Sequence, residues 1–252
     1  MSFGWCLQRD SGYLASLQKP YTPPNVVSGS LVYVAGYSST SYNGAGVTWN
    51  DISGNGNNMT ISGATWSSPN KAFSFNGTNN YIYTPNIYSQ LTASNANFSQ
   101  TQEVWFKSGN AGQIVQEANA ISSASWYDSQ LELTTATTLK MRYWNLSSPY
   151  VTAGTNDSTR WNYVALRYNG ATTTIDGNFN GTFVTAQTFT RELAPSPANI
   201  YYILGQATAT NMGSGTSAFF NGLIAVYRTY KRALSNAEIL QNWNAEKGFY
   251  GY

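Results

Sequence analysis

Between Ser30 and Tyr230 the apolar positions come in short bursts instead of at helical spacing. S-L-V-Y-V-A-G-Y (30–37) is a brief apolar run, and N-M-T-I-S (58–62) alternates. E-V-W-F-K, Q-I-V-Q-E, Q-L-E-L-T and L-K-M-R-Y-W continue in the same style. W-N-Y-V-A-L-R-Y (161–168) sets Val164 and Leu166 on one face, and Y-Y-I-L-G and F-N-G-L-I-A-V-Y-R-T-Y close the series. Such short runs, alternating or fully apolar, mark strands. Turn residues punctuate them. Asn76-Gly77-Thr78-Asn79 predicts a hairpin-type turn, and Asn169-Gly170, Asp176-Gly177 and Asn180-Gly181 predict three more, because Gly and Asn tolerate positive φ. Many short strands with frequent turns predict an all-β fold, a two-sheet antiparallel sandwich.

The period changes near the end. Ser235-Asn236-Ala237-Glu238 reads as a capping box, followed by an apolar stripe at Ile239, Leu240 and Trp243 and a stop at Gly248. This predicts a short C-terminal helix. At the other end, Pro20, Pro23 and Pro24 force extended backbone and separate an arm, residues 1–24, from a domain over 25–252. The arm carries Phe3, Trp5, Tyr13, Leu14 and Leu17, side chains that a free tail rarely exposes, so it is expected to dock on a partner. Cys6 is expected to be a small apolar contact within it.

Composition narrows the chemistry. Of 252 residues 42% are hydrophobic and 15% aromatic, but only 10% are charged, so Ser, Thr, Asn, Gln and Gly must cover the surface. Net charge is +2 and the thirteen Lys and Arg are dispersed, which argues against a nucleic-acid footprint. The first residues lack the pattern of a secretory signal, and no run approaches the roughly 20 apolar residues of a membrane span. One cysteine permits no internal disulfide. With no histidine, Ser-His-Asp and Cys-His arrangements are excluded, and so are imidazole metal sites.

The order of motifs resembles the laminin-G-like, concanavalin A-like sandwich domains. A-F-S-F-N-G-T-N-N-Y-I (72–82), S-Q-T-Q-E-V-W-F-K (99–107), W-N-Y-V-A-L-R-Y-N-G (161–170), T-I-D-G (174–177) and F-N-G-L-I-A-V-Y-R-T-Y-K-R-A-L-S-N-A-E-I (220–239) follow that family's sequence of strands. The resemblance implies a jelly roll of concanavalin A/laminin-G type. Asn162 stands where that family commonly has histidine and Ala225 where it has aspartate, which weakens an inherited calcium site. The opening segment, residues 30–58, is similar to such domains in structural proteins of tailed bacteriophages. That likeness implies a virion protein made in the host cytoplasm, a tail, fibre or capsid component present in multiple copies or as a homo-oligomer. Its partners would be other virion proteins, reached through the arm, and host-surface glycans.

Three stretches carry candidate chemistry. In Asp51-Ile52-Ser53-Gly54-Asn55-Gly56-Asn57-Asn58 only Asp51 is charged, whereas calcium takes about six to eight oxygen ligands, usually with several carboxylates. Ser53 has no histidine to activate it. A structural corner is the stronger reading, with calcium the weaker alternative and no other cofactor implied. Glycosidase chemistry in such sandwiches needs paired carboxylates, usually alternating on one strand. Only Asp128 and Glu132 approach this, four residues apart, with Glu103 and Glu117 as further neighbours to consider. The expectation is therefore a protein that is not an enzyme. For sugar binding the candidates are Trp126, Tyr127 and Asp128 in S-A-S-W-Y-D-S, with Tyr143, Trp144 and Asn145 in Y-W-N-L-S-S-P-Y, an aromatic platform beside amide and carboxylate groups. Trp105 and Trp161 are expected in the core. The favoured function is a lectin-like virion surface protein for host adhesion or particle decoration. The alternatives are a purely structural capsid-stabilising protein and a glycan hydrolase.

Overall fold

The computed structural model describes residues 28–95, 97–122, 127–143, 150–191, 199–206 and 219–252. The arm residues Phe3, Trp5, Tyr13, Leu14 and Leu17, and the platform residues Trp126, Trp144 and Asn145, lie outside them.

Two antiparallel sheets face each other. In the first sheet the order is β14 (Thr182–Thr188), β13 (Thr174–Phe179), β12 (Asn162–Asn169), β7 (Gln100–Lys107), β16 (Asn221–Tyr230), β5 (Ala72–Asn76) and β4 (Thr65–Ser67). The first strand, β1 (Ser30–Ala35), pairs with the far half of β16. The second sheet runs β11 (Val151–Thr155), β10 (Thr138–Met141), β9 (Tyr127–Leu133), β8 (Gly112–Ala118), β15 (Tyr201–Leu204), β6 (Tyr81–Tyr83), β3 (Met59–Ser62) and β2 (Thr48–Trp49). Outside the sheets lie a short helix α1 (Tyr88–Thr92) and the C-terminal helix α2 (Asn236–Glu246). This is the all-β, two-sheet sandwich that the strand pattern predicts.

The central strands of the first sheet, β12, β7 and β16, are buried on both faces. Strand period places Val104 and Phe106 of β7 against the second sheet, in a core with Leu131, Leu139, Val164 and Tyr227. The alternate residue, Trp105, points the other way, where α2 and the C-terminal residues cover it. There the Trp105 ring stacks on Tyr250 at 4.1 Å and on Trp243 at 5.2 Å. Trp105 is fully buried and Trp161 half-buried at the margin of the same cluster. The capping box forms as read: the Ser235 side chain accepts from the Glu238 amide, and the Glu238 carboxylate accepts from the Ser235 amide. The helix ends at Glu246, and Gly248 lies in a single 3₁₀ turn beyond it.

Two turn expectations need correction. The segment Asn76–Asn80 closes no hairpin, because β5 belongs to the first sheet and β6 to the second. The chain crosses between sheets there, wound about one side chain: Asn76 Oδ1 accepts from the amides of Thr78, Asn79 and Asn80. Asp176-Gly177 is no turn either. Both residues lie within β13, where Asp176 receives a bidentate pair from Arg167 at 2.7 and 2.6 Å. A Cβ on Gly177 would lie 1.9 Å from the Ala165 carbonyl oxygen, so glycine is there for close backbone approach. Asn169-Gly170 and Asn180-Gly181 do link strands, and the second pair has positive φ at both residues, 50° and 87°.

Candidate functional site

The Asp51 corner stitches the outer edge of β1. Asp51 Oδ1 accepts from the amides of Tyr33 and Ser53, and Oδ2 from the Ser53 hydroxyl and the Asn57 amide, all at 2.7–2.9 Å. Ile52 donates back to the Tyr33 carbonyl, and the Asn57 side-chain amide to that of Leu31. The corner thus fills hydrogen-bonding positions that an exposed edge would leave open. Among the described residues no group of three or more His, Cys, Asp or Glu is placed to hold a metal.

The expected sugar platform is distributed differently from its sequence reading. Tyr127 is half-buried, while Asp128 and Tyr143 have no solvent exposure and sit within the sandwich. They meet there in a polar network between the sheets. Arg142 Nη2 lies 2.9 Å from Asp128 Oδ1, but off the hydrogen-bonding direction, and neither carboxylate oxygen accepts a hydrogen bond among the described residues. Burial, opposed by Arg142 and reinforced by Glu117, raises the Asp128 carboxyl to about 7. Glu117 is its cross-strand partner. Glu117 Oε2 accepts from Gln130 at 2.7 Å, Tyr202 at 2.8 Å and Arg191 at 2.9 Å. Burial likewise raises the Tyr143 hydroxyl far above its usual range. Asp128 and Glu132 do not share a face as an unbroken strand would require. The register skips Gln130 between the pairs Val115–Leu131 and Gln116–Ser129, and this bulge reverses the alternation.

A second buried network ties α2 to the first sheet. Arg228 bridges Glu103 and Glu246, all three essentially unexposed. Glu246 also accepts from Trp105 Nε1 at 2.8 Å and from the Tyr37 hydroxyl at 2.5 Å. Glu103 accepts from Tyr163 at 2.9 Å and from Asn242. Two carboxylates share one guanidinium, and burial pushes the Glu103 carboxyl up.

Open to solvent is a cleft of about 320 Å³ where the end of β1 meets the β4–β5 turn, lined by Tyr37, Ser39, Asn43, Trp66, Ser68 and Lys71. The volume is near the lower end for ligand sites. Its floor is an aromatic cluster: Trp66, on the edge strand β4, lies tilted against Phe73 at 5.3 Å and against Tyr42 at 4.9 Å. The two walls touch at Gly36, where a Cβ would lie 2.0 Å from the Lys71 carbonyl oxygen. Lys71 itself holds φ of 48°, an uncommon conformation for a long side chain. The indole N–H of Trp66 and the ammonium of Lys71 have no protein acceptor among the described residues. The sequence reading passed over this site because its residues come from two segments 22 or more positions apart. An aromatic on a three-residue strand beside Ser-Ser-Pro-Asn was the one local signal.

Residues 76–240, well over half of the chain, match a laminin-G family described as the concanavalin A-like lectin/glucanases superfamily, and the chain belongs to it. Among curated proteins none matches this chain. Among solved structures, the Trypanosoma rangeli sialidase in complex with sialic acid superposes with a TM-score of 0.62 at 13% identity, over 90% of this chain and 34% of that one. Botulinum neurotoxin type C, whose cell entry depends on interaction with two ganglioside molecules, gives 0.58 at 12% identity over 86% of this chain and 51% of that one. The serotype D binding domain gives 0.54 at 13% over 87% and 52%. This chain therefore spans about a third of the sialidase and about half of each neurotoxin chain. At these identities the likeness carries the fold.

The expectation that the protein is not an enzyme is corrected by these neighbours, since sialidases share the fold over nine-tenths of the chain. Carboxylates need not alternate along one strand to meet: β8 and β9 bring Glu117 and Asp128 together across strands.

Proposed function

We propose that the chain is a carbohydrate-binding domain displayed on a bacteriophage particle, with the Trp66 cleft as its sugar site and residues 1–24 as its anchor to other virion proteins. The observation that carries the sugar reading is the cleft, an aromatic floor ringed by hydroxyl, amide and ammonium groups on a lectin/glucanase fold. A pyranose offers a C–H face to a ring such as Trp66 and hydroxyls to groups such as Ser39, Asn43 and Ser68. The virion role rests on the likeness of residues 30–58 to phage structural proteins and on the apolar arm. The test is a glycan array probed with the protein in multivalent form, with calcium and with chelator. Binding that Trp66→Ala reduces at least about tenfold, unchanged by chelator, is the expected result. Loss with chelator would move the site to the Asp51 corner, and no binding in any form would end the sugar reading.

A second reading is favoured by one observation: the Glu117–Asp128 pair, with one carboxyl held protonated near neutral pH beside another, has the asymmetry of an acid/base couple. In that reading the protein is a glycan hydrolase, and the sheets must part to admit a glycan, since neither carboxyl of the pair reaches solvent. The same array, assayed for released sugar, distinguishes it.

A further inference from the structure

We infer that the Trp66 cleft selects a carboxylated sugar, with the Lys71 ammonium as the group that reads the carboxylate; this rests on the sugar reading of the cleft. Lys71 is the one charged side chain in the lining, and no acidic residue lines the cleft. No Asp or Glu pairs with it among the described residues, as is true also of Lys107, Lys140, Arg160, Lys231 and Lys247; what sets Lys71 apart is its place in the cleft. The cation is also fixed at its base. Its backbone holds positive φ, and its carbonyl is wedged against Gly36, so the residue is fixed in the cleft wall at some conformational cost. A few residues away the Trp66 N–H provides a second unused donor on the same cleft. An aromatic floor, two free donors and a net positive lining suit a sugar ring bearing one carboxylate better than a neutral sugar.

The experiment is calorimetric titration of the full chain with 3′-sialyllactose and with glucuronic acid, each against its neutral counterpart, lactose or glucose, at low and high salt. The carboxylated member of at least one pair is expected to bind about tenfold tighter, the preference shrinking with salt. Which pair shows it separates a sialic acid from a uronic acid. Lys71→Gln should abolish the preference for the carboxylated member of the pair, whatever it does to neutral-sugar affinity, while Lys71→Arg should retain it. Lys71 is exposed, so these variants fold; melting curves confirm it, and they qualify Trp66→Ala as the loss-of-site control. Neutral and carboxylated sugars bound equally, with Trp66 dependence, would overturn the carboxylate inference and leave the sugar reading standing. A preference that survives Lys71→Gln would overturn it as well. No binding of any of the four would overturn both.

Discussion

A carboxyl with no solvent exposure must either find compensation for its charge or keep its proton, and Asp128 does the second over much of the physiological range. Arg142 is close but poorly directed, and Glu117 across the strand opposes ionisation. The folded state therefore holds a proton to about pH 7 that the unfolded chain releases near 3.8. Stability from this group is full below about pH 4 and is lost as pH rises through 7, on the order of 4 kcal/mol in total. Wild-type protein should show this falling slope in denaturant titrations between pH 4 and 7.5, and Asp128→Asn should be clearly shallower over the same window, the remainder coming from Glu103, whose carboxyl burial also raises. Equal slopes would mean that Asp128 ionises freely in the fold. The residues of this network were visible in the sequence, but their meeting was not. Spacing along one strand reveals only neighbours two or four apart, and Glu117 reaches Asp128 through strand pairing and a bulge at Gln130 that no local pattern encodes. The Ser235–Glu238 box was legible for the opposite reason: both partners lie within one helical turn.

At the level of elements, α2 is held less by its own cap than by what it delivers to the outer face of the first sheet. Trp243 stacks on Trp105, and Glu246 closes a buried cycle with Arg228, Trp105 and Tyr37. Taking away one partner of such a pair leaves a charge inside the protein with less to offset it. Glu246→Ala should cost about 3–5 kcal/mol, and Glu246→Gln, which keeps an acceptor for the Trp105 indole, clearly less. Urea unfolding of the two variants measures the difference. Loss of amide protection confined to 236–250 would show that α2 detaches as a unit. Ser235→Ala alone should cost only about 1 kcal/mol. Most strands were readable from periodicity and turn residues, since each needs only its own alternation, whereas the short or weakly apolar β2, β4 and β11 and the order within each sheet were not. The crossing at Asn76–Asn80 was not, because Asn and Gly supply the same positive-φ and side-chain-capping chemistry whether the chain returns to its own sheet or passes to the facing one.

On the whole molecule, apolar surface is sparse where the structure describes it. Val47, Tyr150 and Phe249 are the large hydrophobic side chains exposed among the described residues, and they lie in separate parts of the fold. The five large apolar residues of the arm, Phe3, Trp5, Tyr13, Leu14 and Leu17, therefore stand out as docking chemistry attached to a domain whose face is mostly neutral and polar. If the arm anchors the domain to a particle, removing residues 1–24 leaves the melting temperature within about 2 °C of the full chain, because little of the sandwich core depends on it. The truncated protein should then fail to co-sediment with assembled particles. The contrary arrangement, an arm folded back on its own sandwich, would bury the same side chains near the groove at Gly29, Ser30, Asn55, Gln90 and Lys231, where the described chain begins. Truncation would then uncover apolar surface, lower the melting temperature by several degrees and leave particle association intact. Truncation costs assembly alone in the first arrangement and stability alone in the second, so one truncation measured both ways decides where those five side chains are buried.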